Sequence, residues 1–198
     1  RLEIIELSSY TEQEKQMIHA KLMEEARKCI STIGMRKTTV DQLAYGADIS
    51  KGAFYKFYDS KEMLFFEVLE SLHTEIYDAA FSVLDSRRDL PEAERAALAF
   101  LTACKVMEEN SMMDFFENDL SYLLRKIPQD VLEKYYSSDD AHIRDLFARG
   151  GLHLKVPVET ASAAIRSIFL TLQHQTELGS SFHGVIELLV RGVCSQLL

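Results

Sequence analysis

From Ile18 onward, apolar residues fall three or four positions apart, through Leu22, Ala26, Ile30 and Ile33, the spacing of one face of an α-helix. Thr11 and Glu14 have the reciprocal capping spacing that opens such a helix. Gly34 closes it, because glycine takes the left-handed conformation cheaply. Thr38 and Asp41 repeat the capping spacing and predict a short second helix, Val40 to Tyr45, followed by a turn over 46–49. Ser50 caps a third short helix, Lys51 to Phe57. Asp59 or Ser60 caps a long fourth helix beginning near Lys61, with Leu64, Val68, Leu72, Ile76 and Ala80 holding the helical period.

The later breaks are equally legible. Pro91 suits the first turn of a fifth helix, where its missing N–H costs nothing. Asn110-Ser111 interrupts the pattern, and Ser111 with Asp114 starts a sixth helix. Pro128 starts a seventh, ending at Gly150-Gly151, and Pro157 an eighth, from Val158 to Leu178, closed by Gly179. The ninth runs from Phe182 to the last residue. No internal repeat and no useful length of strand-like alternation interrupts this series. The predicted fold is all-α, with about nine helices in two parts: a three-helix unit in residues 1–60 and a larger helical unit in 61–198.

Composition agrees. Hydrophobic residues make up 47% of the 198 residues, enough for a sizeable core, while 8 Gly and 3 Pro are too few for a turn-rich β fold. Cys29, Cys104 and Cys194 are odd in number and far apart, which predicts neither a disulfide framework nor a metal site and fits a reduced, cytoplasmic compartment. No apolar run approaches the roughly 18 residues of a membrane span, and Arg1-Leu2-Glu3 does not read as a signal peptide. His19, His73, His142, His153, His174 and His183 are dispersed, and no P-loop, His-Glu-x-x-His, Gly-x-Ser-x-Gly or paired-cysteine motif is present. The expectation is therefore a protein that is not an enzyme and needs neither cofactor nor metal.

Charge changes the picture more. The net charge of −9 opposes nucleic-acid binding at first sight. Between Arg36 and Lys61, however, five bases face three acids, leaving +2 there and −11 in the remainder. A small basic module on an acidic body confines contact with a polyanion to the module. That module holds two short helices joined by a four-residue turn, the plan of a helix-turn-helix. In such a motif the second helix enters the major groove by its N-terminal residues. Here these are Ser50-Lys51-Gly52-Ala53-Phe54-Tyr55-Lys56. Lys51 reaches a phosphate or a guanine edge, Gly52 lets backbone approach DNA closely, and Tyr55 offers a phenol to phosphate and a ring to a thymine methyl. Phe54 and Phe57 are expected to turn inward.

Gly34, Thr38-Thr39-Val40, Leu43-Ala44, the run from Ile49 to Tyr58 and Ser60-Lys61-Glu62-Met63-Leu64 together resemble the DNA-binding domain of the TetR/AcrR family over about residues 14–70. Two positions depart from its pattern: Tyr58 stands where Phe is usual, and Asp48 where Gly is common. The resemblance implies double-stranded DNA, as a palindromic operator, for a partner. Thr39 would then meet phosphate through its hydroxyl or N–H, Lys51, Gly52 and Tyr55 would lie on the groove, Lys61 would hold a phosphate at a helix N-terminus, and Arg36 and Lys37 would touch flanking backbone. Lys56 completes the basic set on a solvated face.

The resemblance also implies a C-terminal part that dimerises and binds a small-molecule inducer. Ile165, Ile168, Phe169 and Leu172 on the eighth helix, and Ile186, Leu189 and Val193 on the ninth, are the expected homodimer interface. His73, Tyr77, Cys104, Met107, Glu108, Phe116 and His174 are the candidate pocket, in a region rich in Met and aromatics. For any one of these residues, ordinary core packing is the plainer alternative. The function these expectations converge on is a dimeric repressor released by an inducer. The alternative is a helical small-molecule-binding protein of the same fold that no longer uses DNA.

Overall fold

The computed structural model describes residues 10–109 and 112–198, and among them every regular element is helical. The helices are α1 (Glu12–Thr32), α2 (Val40–Gly46), α3 (Lys51–Phe57), α4 (Lys61–Ser86), α5 (Glu92–Glu109), α6 (Met112–Asn118), α7 (Leu120–Leu124), α8 (Gln129–Arg149), α9 (Val158–Thr171), α10 (Gln175–Leu178) and α11 (Phe182–Leu197), with 3-10 turns either side of α10. The predicted break at Asn110-Ser111 lies outside the described residues.

The helix ends follow local chemistry. Thr11 and Glu14 form the predicted capping box, and Ser50 and Ser60 cap α3 and α4. At α2 the cap is Thr39, not Thr38. Gln42 reaches back to Thr39 N–H at 2.8 Å while Thr39 Oγ1 accepts from Gln42 N–H. Thr38 is buried instead, and its hydroxyl donates to the Gly34 carbonyl at 2.8 Å. Gly34 has φ +79 and its N–H returns to the Cys29 carbonyl, ending α1 as predicted. Pro91, Pro128 and Pro157 each sit just ahead of a helix, and their carbonyls accept its first bond. Asp48 has φ +58 in the turn before α3, the conformation for which glycine is common there.

The expected nine helices become more because two of them are broken. Asp119 divides the sixth into α6 and α7, and the eighth loosens at Leu172 into a 3-10 turn before α10. At the first break the Asp119 carboxylate turns to Met35 and Arg36, a tertiary contact that periodicity does not report.

Packing centres on α4. Its buried residues run from Leu64 through Phe65, Phe66, Val68, Leu69, Leu72, Ile76 and Ala80 to Leu84, so it is apolar on far more than one stripe, as a central helix must be. It packs on α1 near its start and on α5, α7 and α8 beyond. α11 covers α5 and α9, and α8 closes against α4 and α9. Polar clasps add to the α1–α4 seam: His19 Nε2 lies 2.6 Å from Glu67, and Arg27 donates to Ser71 at 2.7 Å and pairs with Glu75. At its other end, buried Arg95 donates to the Leu84 carbonyl at 3.4 Å, placing a cation where the helix dipole favours one.

Leu69 is fully buried in the middle of this helix. Leu69→Ala is expected to lower stability by about 2–5 kcal/mol in urea unfolding, through lost burial and the cavity left behind.

Candidate nucleic-acid interface and ligand cavity

The α2–α3 pair presents its polar residues as a surface supported by a small core. Leu43, Ala44, Ala47, Ala53 and Phe54 are buried beneath it. Tyr58, at the C-cap of α3, donates its phenol to Glu67 of α4 at 2.6 Å, and burial together with that carboxylate keeps the phenol protonated. Phe54 turns inward as expected, whereas Phe57 is only half-buried.

Above this core, Lys51 and Gly52 are exposed at the start of α3, and Tyr55 is half-exposed one turn on, its ring edge-to-face with Phe54 at 5.5 Å. A Cβ at Gly52 would meet only the Ser50 hydroxyl, at 3.9 Å, so the glycine leaves an open approach. Arg36, Thr39, Tyr55 and Lys61 come together on one shallow cleft of about 400 Å³. Lys37 is exposed beside it. Lys56 lies apart, lining a second cleft with Tyr10, Lys15, Gln16 and His19. Tyr45, on α2, is 85% exposed. It escaped the sequence reading because an aromatic at a helical spacing reads as core.

Several of these groups are engaged within the chain. Lys51 Nζ donates to Asp41 at 2.8 Å, which holds its pKa above the usual lysine value and keeps the cation. Thr39, expected to offer its hydroxyl and N–H to phosphate, has both committed to Gln42. Lys61, expected as a phosphate ligand, donates to the carbonyls of Met35, Arg36 and Thr38 at 2.6–3.1 Å. The ammonium meets three converging carbonyl dipoles, and it ties α4 to the loop ahead of α2. Arg36, expected at flanking DNA backbone, pairs in the free chain with buried Asp119 at 3.0 Å and donates to the Asn118 carbonyl at 2.8 Å.

The body contains a cavity of about 220 Å³ between α4, α5, α6, α7, α8 and α9. His73, Tyr77, Met107 and Phe116 of the candidate pocket residues line it, with Ile76, Leu120, Leu124, Tyr135, Tyr136, Ile143, Arg166, Phe169 and Leu170. The walls are mainly apolar. Polar character comes from His73, stacked on Tyr135 at 5.4 Å with the phenol 3.3 Å from either ring nitrogen, and from Tyr77 beside His142. The adjacent tyrosines 135 and 136 were the signal available for α8, since one flank of an amphipathic helix seldom needs both.

Three candidate pocket residues do not line it. Cys104 is buried in the core one turn before Met107. Glu108, a further 100° round α5, turns outward to His183 at 3.2 Å. His174 is exposed and pairs with Glu177 at 3.2 Å. Of the expected interface residues, Ile165, Ile168, Leu172 and Ile186 are buried within the single chain, and Phe169 lines the cavity. Of that set Leu189 is exposed and Val193 half-buried, and Leu170 and Leu188, not named in the sequence, are exposed as well. The periodicity identified an apolar face on each helix but not which neighbour covers it. Among the described residues, no helix is long and apolar enough to cross a membrane, and no group of three or more His, Cys, Asp or Glu could hold a metal.

Residues 22–68 match the family model for bacterial regulatory proteins of the tetR family. The HTH-type transcriptional regulator YhgD of Bacillus subtilis is 26% identical over 129 residues, and the match takes in 65% of this chain and 66% of that relative, just under two thirds of its length. The fatty acid degradation regulator FadR of Bacillus halodurans superposes with a TM-score of 0.59 at 14% identity, covering 89% of this chain and 94% of that one. FadR of Bacillus subtilis, in complex with stearoyl-CoA, superposes with a TM-score of 0.54 at 17% identity, covering 88% and 98%. At these identities the structural likeness is one of fold.

Burial pushes the thiols of Cys104 and Cys194 up to about 12, and burial also raises that of Cys29. A raised pKa leaves the unreactive thiol at neutral pH. Ellman titration at pH 8 is expected to find no fast-reacting cysteine in the native protein and all three in denaturant.

Proposed function

We propose that this chain, whose helix-turn-helix domain belongs to the TetR family of bacterial regulatory proteins, is a dimeric repressor that leaves a palindromic operator when a small, mainly apolar molecule occupies its helical body. DNA binding is assigned to residues up to 60, and ligand binding and dimerisation to residues from 61. The observation that carries the reading is α3: Lys51, Gly52 and Tyr55 are presented outward at the start of a short helix that packs on α2 and whose C-cap residue Tyr58 is tied to Glu67 of α4. A groove-entering helix needs that combination of a rigid seat and reachable polar ends. Lys51 exchanges Asp41 for phosphate or a guanine edge, Tyr55 and exposed Tyr45 reach backbone or base, and Lys61 acts as a seat for the loop.

The ligand assignment is supported by the mainly apolar cavity and by the FadR fold relative that holds stearoyl-CoA. Leu188 and Leu189, adjacent and exposed on α11, are assigned to the dimer surface. A two-fold pair then presents two α3 helices to half-sites about 34–36 Å apart or a multiple of that spacing. A second reading, a ligand-binding protein that does not use DNA, is favoured by one observation: Lys51 and Arg36 already have carboxylate partners.

Selection from a random duplex library decides between the two. Wild type is expected to enrich a palindrome, and Lys51→Ala or Tyr55→Ala to weaken binding to it by roughly 10- to 100-fold. A folded wild type that enriches nothing at low salt would establish the second reading. Leu188→Arg is expected to give a folded monomer in sedimentation velocity. A dimer unaffected by that change would move the interface elsewhere.

A further inference from the structure

The cavity and the helix-turn-helix share one short stretch of chain. Phe116 on α6 and Leu120 on α7 both line the cavity. Asp119, the single-residue step between those helices, reaches instead to the loop ahead of α2. Its Oδ2 accepts the Met35 N–H at 2.7 Å, and its Oδ1 accepts Arg36 Nε at 3.0 Å. The Arg36 guanidinium also donates to the Asn118 carbonyl at 2.8 Å. The carboxylate side chain is only 8% exposed, so these donors replace the water it has lost. Gly34 completes the seat: a Cβ there would stand 3.2 Å from Oδ2.

The other side of the same loop is held from α4. Lys61 Nζ takes the carbonyls of Met35, Arg36 and Thr38. The Met35–Arg36 segment is thus clamped between the first residue of α4 and the α6–α7 step. Thr39, the cap of α2, follows three residues after Arg36. Phe116 and Leu120 are thus connected, through Asp119, to the base of the α2–α3 pair.

We propose that Asp119 is a positioning residue that couples the cavity wall to the seat of the helix-turn-helix, so that displacement of α6–α7 by a cavity occupant releases the Met35–Arg36 loop. This rests on the reading of the cavity as a ligand site. Its test uses the free, full chain, so that it does not depend on DNA.

The readout is hydrogen exchange of the Met35 amide. Asp119→Ala is expected to accelerate it by about 10- to 100-fold, the loss of a hydrogen bond to a charged group. Arg36→Ala, an exposed change that leaves the core intact, is expected to accelerate it to a smaller degree and serves if Asp119→Ala does not fold. Phe116→Ala disturbs the cavity wall on α6, and Ile143→Ala disturbs the same cavity from α8. Coupling requires that Phe116→Ala accelerate Met35 exchange well beyond Ile143→Ala, and that it add nothing further in the Asp119→Ala or Arg36→Ala background. Equal effects of the two wall substitutions, or a full Phe116→Ala effect without the carboxylate or its arginine, would overturn the proposal. On a duplex enriched by wild type, Asp119→Ala is expected to bind more weakly. If wild type enriches no duplex, the DNA reading fails while the exchange data still decide the coupling.

Discussion

The structure depends on one helix having to satisfy two cores at once. α4 is 26 residues long, about 39 Å at 1.5 Å per residue. Its first turns close the small core beneath α2 and α3, and its later turns form the floor of the cavity with His73, Ile76 and Tyr77. A continuous hydrogen-bonded helix transmits rotation along its length better than a loop does, so the two parts of the molecule do not orient independently. The seam with α1 reinforces this. His19 and Arg27 of α1, with Tyr58 from the end of α3, spread their contacts over Glu67, Ser71 and Glu75, two turns of the same helix.

Most of the fold was legible because helices advertise themselves locally. Thr11 with Glu14, Ser50, Ser60, Gly34 and the three prolines all lie within a few residues of the boundary they set. The one misplaced cap shows the limit of such signals. Thr38 and Thr39 both have a polar residue three positions on, and the choice went to Thr39 because Thr38 is drawn into the core beneath the Gly34 carbonyl. Asp119 was not legible at all. Its partners Met35 and Arg36 lie more than 80 residues earlier, and nothing in the pattern around it distinguishes it from a solvated helix cap.

The candidate sites divide along the same line. Residues of the helix-turn-helix were readable because an ordered run of types at fixed spacing encodes a local motif, and the exposure of Lys51, Gly52 and Tyr55 follows from that geometry. What those residues hold in the free chain was not readable, since Asp41, Asp119 and the loop carbonyls arrive through tertiary folding. In the body, helical periodicity supplied apolar faces but not their neighbours. Ile165, Ile168, Leu172 and Ile186 look identical in sequence to interface residues, yet they face inward, and the exposed leucines lie beside them in the chain. The cavity needed residues from six helices, of which only His73, Tyr77, Met107 and Phe116 carried a signal strong enough to name.

The ion pair at the start of α3 bears on how this surface would meet a polyanion. Lys51 already holds the Asp41 carboxylate where a phosphate would come. Binding there is an exchange of one anion for another, and the displaced carboxylate must be resolvated or recruit a cation from solution. Fewer counterions are then released on balance than a count of lysines and arginines implies, and the logarithmic dependence of affinity on salt flattens accordingly. Long-range attraction is also weak for a chain carrying −9 overall. Encounter with a random duplex would gain little, and a groove would have to fit α3 closely to offset the opening of that pair.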